Sequence, residues 1–277
     1  MTKLQFDQID EQACQAFREH GAICLRGAFD DWVDTLRAGI ARNEQSPGDY
    51  FAENVVPGDP GRFWDDYCNW QRIPEFYRFI TESDAARLAA QAMASERAQF
   101  FHDHVLVKEA NTPKPTPWHQ DAPYYFADGT QTVSFWLPLD PVAENESLRL
   151  VSGSHRWPKL VLPVKWLDDA DFYPEQQEQY MTLPDLDAGV AAETIVQWAL
   201  QPGDAVLFNF RTVHGARGNL QPRRRRAFSM RWVGDDGHYR ERPGRTSPPF
   251  PGHGMHDGER LREDWFPVLW PPHRRTG

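Results

Sequence analysis

The sequence predicts a mainly β protein with flanking helices: a two-sheet jelly roll, or double-stranded β-helix, with its helices packed outside one sheet. Three observations lead there. Short runs of β-branched and aromatic residues recur between turn signals from about residue 100 to 233, whereas capped helical patterns come before them. Aromatics reach 13% with eleven tryptophans, alongside 23 prolines, which suits short strands, long loops and a roofed pocket better than a helical bundle. At 277 residues the chain can bury a sizeable core. One domain over 1–277 is expected, with N-terminal helices at about 8–95, a jelly-roll core at about 98–234 and a Pro-rich wrap at about 235–277.

The charge balance narrows the partners. Thirty Lys and Arg against 40 Asp and Glu give a net charge of -10, so neither nucleic acid nor an anionic membrane is expected as a partner. A small-molecule substrate is expected, with a monomer or homodimer acting on it. Cys14, Cys24 and Cys68 are an odd number with no C-x-x-C pair, so neither a thiolate zinc motif nor a disulfide framework is expected. With no apolar run near the roughly 20 residues of a membrane span, and no signal-like N-terminus, a cytoplasmic protein is expected.

Asp10 is placed to cap a helix through Ala13, Ala16 and Phe17, closed by Gly21 and followed by the buried strand Ala22 to Leu25. Asp30 or Asp31 would cap a second helix carrying Trp32, Leu36 and Ile40. Between Ser46 and Trp70, the residues Trp64, Tyr67 and Trp70 recur every three positions, as on one side of a helical turn. They pack a satellite core, or one or two of them line a substrate pocket, with Trp64 the named candidate. Ser83 would cap an Ala-rich helix from Asp84 to Ala94. A long strand from Phe100 to Lys108 then sets His102, His104, Leu106 and Lys108 on one face.

Further strands are expected at Thr132 to Leu137, Leu148 to Val151, Thr194 to Ala199, Ala205 to Phe210 and Arg225 to Val233. The stretch from Arg156 to Ala192 is an insertion, because strands resume after it. The prolines from Pro243 to Pro272 make the C-terminal part irregular, wrapped on the surface or over a site.

Chemistry concentrates at Trp118-His119-Gln120-Asp121, just after a run rich in proline. If this stretch is extended, His119 and Asp121 share a side and Gln120 points away. An imidazole and a carboxylate converging there, joined by a distant histidine, make the facial triad of non-haem Fe(II) oxygenases, which leaves coordination positions open. His214 lies 93 positions after Asp121 and meets the pair only if the fold sets their strands side by side, as a jelly roll does. On the strand from Arg225, alternation puts Arg226, Phe228, Met230 and Trp232 under the helices and turns Arg225, Ala227, Ser229 and Arg231 inward. A buried guanidinium needs an anion, and its fork fits a carboxylate. A dicarboxylate held by Arg225 at one end and chelating iron at the other meets both demands, and 2-oxoglutarate is that ligand.

Taken together, Asp103 to Glu109, Trp118 to Asp121, Trp136 and its strand, Gly153-Ser154-His155, Pro202-Gly203-Asp204 and His214 to Ala227 resemble the phytanoyl-CoA dioxygenase family, which includes ectoine hydroxylase. The resemblance implies Fe(II) on His119, Asp121 and His214, with the distal carboxylate of 2-oxoglutarate on Arg225 and O2 as the oxidant. It also implies co-substrate contacts from Trp136, from Lys108 and from His104 four residues earlier, with Ser134 on the same strand face as Trp136. Related iron halogenases lack the carboxylate ligand, so Asp121 implies hydroxylation or another oxidation. Glu146-Ser147 stands where the family often has glycine, which touches only a loop.

The substrate is less legible: Arg231 is a candidate for a substrate anion unless an acidic side chain claims it, and Tyr124 and Tyr125 could roof the pocket or pack. Two rival readings stay open. One is a cupin-type metal enzyme using His102, His104 and Glu109; the other is a catalytically silent binding protein on the same jelly roll.

Overall fold

A computed structural model of the protein describes residues 4–175, 177–187 and 195–272. Its strands are β1 (Gln5–Phe6), β2 (Ala22–Leu25), β3 (Ala52–Glu53), β4 (Phe63–Tyr67), β5 (Ala98–Lys108), β6 (Thr116–His119), β7 (Ala127–Asp128), β8 (Thr132–Pro138), β9 (Leu148–Val151), β10 (Ile195–Val196), β11 (Ala205–Phe208), β12 (His214–Ala216), β13 (Arg225–Val233), β14 (His238–Tyr239) and β15 (Val268–Trp270). The helices are α1 (Glu11–His20), α2 (Val33–Gln45), α3 (Pro74–Glu82) and α4 (Ala85–Met93).

A major sheet runs β1-β2-β11-β8-β13-β5-β4-β3, with β15 on the free part of β5. A minor sheet runs β10-β9-β12-β6, and β7 pairs with β14 apart from both. The two large sheets face each other without closing into a barrel, which is the jelly roll expected from the strand spacing.

The period of two along β13 divides the protein. Phe228, Met230 and Trp232 face outward into a core shared with Phe17 of α1, Leu36 and Ile40 of α2, Phe76 and Phe79 of α3, and the alanines of α4. The Phe76 and Phe228 rings lie 4.7 Å apart. On the other face, ladder partners form rows: Arg231 with Ser134 and His102, Ser229 with Trp136 and His104, and Arg225 with Lys108, which in turn meets Phe63. A second core of Trp136, Leu148, Leu150, Val206, Phe208 and Ala227 joins this face to the minor sheet.

Local chemistry explains the helix ends. Asp10 accepts a hydrogen bond from the Ala13 amide at 2.9 Å, and Gly21 takes the left-handed conformation (φ 74°) that turns the chain into β2. The second helix departs from expectation. Asp30 and Asp31 lie in a 3₁₀ turn, and α2 begins after Trp32 with no side-chain cap. Helix α3 has no side-chain cap either; it starts at Pro74, whose missing amide is harmless at a helix start. Ser83 meets the Ala85 amide only at 3.3 Å, and Asp84 occupies the cap position of α4.

The largest correction falls on Trp64. Residues 63–67 are a strand rather than a helical turn, because the cross-strand pairing with β5 sets a period of two. Phe63, Asp65 and Tyr67 therefore face inward, while Trp64 is fully buried on the helix side beside Phe51 and takes no part in a substrate pocket. Thr194 of the strand expected at Thr194 to Ala199, and residues 188–192 of the insertion, lie outside the described residues; β10 retains Ile195–Val196. Among the described residues, no helix is long and apolar enough to cross a membrane.

Candidate active site

His119 ends β6 and His214 begins β12, and these residues are direct ladder partners in the minor sheet. Asp121 is not extended as expected. It has helical backbone angles (φ -69°, ψ -41°) and opens a 3₁₀ turn, which still swings its carboxylate toward both imidazoles. Oδ1 of Asp121 lies 3.8 Å from Nε2 of His119 and 3.8 Å from Nε2 of His214. One potential ligand atom from each residue falls within 4.8 Å of the others, and all three residues are buried.

Every other polar atom of the group is committed. His119 Nδ1 donates to the Pro117 carbonyl at 2.8 Å and His214 Nδ1 to the Thr212 carbonyl at 3.0 Å, which leaves both Nε2 atoms as unprotonated donors for a metal. Asp121 Oδ2 accepts from Ser134 Oγ at 2.6 Å and lies 3.4 Å from Arg231 Nε, so Oδ1 is the oxygen left over. Burial, with the His214 charge adding to it, pushes the His119 pKa down to about 3, and burial likewise lowers that of His214. For Asp121 burial acts upward, but Arg231 and the two histidines outweigh it and hold the group ionised. The donor set is thus two neutral imidazoles and a carboxylate in one buried spot, which fits Fe(II). Gln120 points away as its parity requires, donating to the Arg211 carbonyl and accepting from the Val161 amide at 2.8 Å.

Farther along the inner face, Phe63, Lys108, Trp136 and Arg225 line a small cavity of about 20 Å³. Arg225 donates to the carbonyls of Glu146 and Arg217, and Lys108 Nζ reaches the same Arg217 carbonyl at 3.2 Å. The Glu146-Ser147 loop thus positions Arg225 through a backbone carbonyl. Desolvation pushes the Arg225 pKa down to about 10 against the pull of Glu146, and that of Lys108 well below its ordinary value, with Arg225 as the next cause. Neither cation has a carboxylate within ion-pair distance among the described residues. Two adjacent buried basic groups, hydrogen-bonded only to carbonyls and with Lys108 Nζ also 4.4 Å from the Phe63 ring centroid, are arranged for an anion.

A cavity of about 290 Å³ opens beside the His119 and Asp121 side chains. Tyr124 and Tyr125 line it, as expected, and so does Arg231. Arg231 is largely claimed, however: Nε donates to Tyr125 Oη at 3.0 Å, one terminal nitrogen donates to Ser229 Oγ at 2.7 Å, and Asp121 neutralises it. Tyr124 Oη donates to the Val164 carbonyl at 2.6 Å and accepts the Val164 amide at 2.9 Å, so the insertion is pinned over the cavity. Trp166 of that insertion sets its ring edge-on to His119, with centroids 5.1 Å apart.

Two of the expected co-substrate contacts lie away from the Arg225 cavity. Ser134 holds Asp121 and does not line the Arg225 cavity, since its row on the sheet is that of Arg231. His104 does not join Lys108 there either; it faces the larger cavity with Nε2 on Asp65 Oδ2 at 2.7 Å. The cupin-type arrangement does not form: His102 and His104 share the inner face, but each member is engaged with a different partner and Glu109 lies past the end of β5. His102 Nδ1 is bonded to the Asp103 carbonyl, His104 to Asp65, and Glu109 is ion-paired with Arg224. Among the described residues, His119, Asp121 and His214 are the group placed to hold a metal.

Sequence reasoning missed Asp65 and Trp166, and reached Tyr67 only through the helical spacing it shares with Trp64 and Trp70. The alternation in Phe63 to Tyr67 could have exposed Asp65, but nothing local distinguishes Trp166 from the other tryptophans.

No curated protein matches the chain in sequence. Among solved structures, the epimerase SnoN from nogalamycin biosynthesis, a non-haem α-ketoglutarate dependent enzyme, is similar with a TM-score of 0.72 at 21% identity, covering 96% of this chain and 98% of that one. EctD from S. alaskensis, solved with 2-oxoglutarate and 5-hydroxyectoine, gives 0.66 at 20% identity over 92% and 88%. EvdO2 from Micromonospora carbonacea var. aurantiaca, complexed with 2-oxoglutarate, gives 0.57 at 22% identity over 85% and 94%. These likenesses establish a shared fold. Residues 17–227 match the phytanoyl-CoA dioxygenase (PhyH) family, a span that contains the whole His-Asp-His group and Arg225. The chain therefore belongs to the phytanoyl-CoA dioxygenase family and is a non-haem iron and 2-oxoglutarate dependent oxygenase.

Proposed function

We propose that the protein hydroxylates, or otherwise oxidises at carbon, a small molecule bound in the 290 Å³ cavity. The residues assigned to iron are His119, Asp121 and His214, and those assigned to the distal carboxylate of 2-oxoglutarate are Arg225 and Lys108, with Trp136 as a wall. The observation that carries the reading is the split of the Asp121 carboxylate, with Oδ2 on Ser134 and Arg231 and Oδ1 facing two unprotonated Nε2 atoms.

Iron and 2-oxoglutarate, when bound, supply the chemistry: dioxygen is reduced, 2-oxoglutarate leaves as succinate and carbon dioxide, and a substrate C–H bond is oxidised. The chain contributes order and dryness. Pro117 and Thr212 fix the two imidazole tautomers, Ser134 and Arg231 fix the carboxylate, and Tyr124 holds the insertion across the cavity so that water is excluded. The silent binding protein loses ground to this reading because the ligand atoms and the anion-seeking pair Lys108 and Arg225 are all intact.

We further infer one working unit over 1–277, as monomer or homodimer, in the cytoplasm, a setting consistent with Cys14, Cys24 and Cys68 all being free thiols. Stimulated 2-oxoglutarate consumption by the Fe(II)-loaded protein, across a panel of small metabolites, tests the activity. Succinate release raised by at least one compound is expected; no turnover together with no metal uptake would overturn the proposal.

A further inference from the structure

The larger cavity contains a pair of side chains that neither the metal group nor the anion site uses. Asp65 on β4 and His104 on β5 meet at 2.7 Å between Oδ2 and Nε2, and the second oxygen of Asp65 accepts from Asn54 Nδ2 at 2.5 Å. A carboxylate oxygen accepts, so the imidazole donates from Nε2, and in the neutral ring Nδ1 then carries the unshared pair. That Nδ1 has no hydrogen-bond partner among the described residues, and unlike the sealed Nε2 of His102 it is not shut off from solvent. The ring lies in the cavity wall, held by Trp166 stacked at 5.9 Å and by the edge of Tyr67 at 5.2 Å.

Holding the sheet together does not account for the pair. Strands β4 and β5 are already joined by a ladder from Phe63 with Lys108 to Tyr67 with His104. Burying a hydrogen-bonded Asp and His adds a desolvation cost that a ladder of this length does not require. A carboxylate that fixes an imidazole tautomer and leaves the other nitrogen open is the arrangement that presents a hydrogen-bond acceptor. The rest of the wall carries the rings of Tyr67, Tyr124, Trp166 and Phe172 with Pro248, while Glu53, Lys165 and Ser247 bring polar groups to the same cavity. Such a surface suits an apolar, ring-bearing molecule oriented by one polar contact.

We infer that Asp65 and His104 receive a hydroxyl group of a ring-bearing substrate, which donates to His104 Nδ1 and so orients the substrate in the cavity. This rests on the oxygenase reading for the word substrate, but its test is binding rather than turnover. Failure of 2-oxoglutarate consumption and failure of this inference are therefore seen separately.

Calorimetric titration of the Mn(II)- and 2-oxoglutarate-loaded protein with 2-naphthol and with 2-methoxynaphthalene compares two ring probes that differ in the hydroxyl donor. The intact protein is expected to bind 2-naphthol about tenfold more tightly, the value of one good hydrogen bond. In Asp65→Asn the amide oxygen stays on Asn54 and the amide NH2 donates to His104 Nε2, which drives the ring proton to Nδ1. The preference should then fall to within about twofold or reverse, a swap that loss of a merely structural contact does not produce. His104→Phe should abolish the preference and His104→Gln, which keeps an acceptor, should restore part of it. Melting curves identify any variant that fails to fold, and the remaining ones decide. Equal affinity of the intact protein for both probes, binding of neither, or a preference unchanged in the folded variants would overturn the inference.

Discussion

At the scale of single residues, the site turns on how one carboxylate is divided. Ser134 and Arg231 claim Oδ2 of Asp121, so the orientation of Oδ1 depends on a hydroxyl that touches no ligand histidine. Removing such an outer partner typically lowers metal affinity about 10- to 100-fold. We expect that loss in Ser134→Ala, measured by Mn(II) titration, with the melting temperature little changed; an unaltered affinity would show that Arg231 alone suffices. The same burial sets a pH dependence. The His119 pKa is depressed to about 3 from an ordinary 6.5, so the unfolded chain takes up a proton that the folded site refuses. Stability is therefore full above about pH 6.5 and is lost as the pH falls toward 3, by about 2 kcal/mol at pH 5 from this residue. A lower melting temperature of the metal-free protein at pH 5 than at pH 7, with a smaller drop in His119→Gln, is the expected outcome. An equal drop in the variant would contradict it.

At the scale of elements, β13 serves two masters. Its outward Phe228 is fully buried against Phe76 and Phe79, while its inward Arg225 and Arg231 serve the two cavities. Phe228→Ala is expected to cost about 3–5 kcal/mol by leaving a cavity under the helices. Urea unfolding measures that cost, and a change below 1 kcal/mol would contradict this packing. The insertion is held differently, through Tyr124 and Gln120, with Tyr173 on the Pro123 carbonyl and Lys114 on the Leu167 carbonyl adding to them. In Tyr124→Phe, amide exchange across 160–173 should rise while that of α1 to α4 stays constant; unchanged protection would show that the remaining bonds from Gln120, Tyr173 and Lys114, with packing, hold the segment without Tyr124.

Elements also show where sequence patterns spoke clearly. The parity of β13 is written in Phe228, Met230 and Trp232, and it alone turned Arg225 inward. In β4, the three-residue spacing of Trp64, Tyr67 and Trp70 imitates a helix. Its true period appears only with the pairing to β5, which is a long-range fact.

At the scale of the whole molecule, the jelly roll makes His119 and His214 ladder partners although they are far apart in sequence. That meeting was legible because a two-sheet fold with strands at both positions has few other ways to place them. Contacts made by the insertion were not legible. Trp166 sits near His119 because Val164 is tied to Tyr124, and no periodicity encodes such a bond. The role of Ser134 was hidden for a related reason: the strand face was evident, but the row along it depends on register between β8 and β13.

The direct test of the central claim is anaerobic absorption of the Fe(II)-loaded protein as 2-oxoglutarate is added, since an Fe(II) chelate of a 2-oxo acid gives a visible charge-transfer band. The intact protein should develop the band and His119→Ala should not. Arg225→Leu should need about 10- to 100-fold more 2-oxoglutarate, the loss of a charge-assisted carboxylate contact. No band in the intact protein, or the same band at the same concentration in both variants, would contradict the assignment of this site.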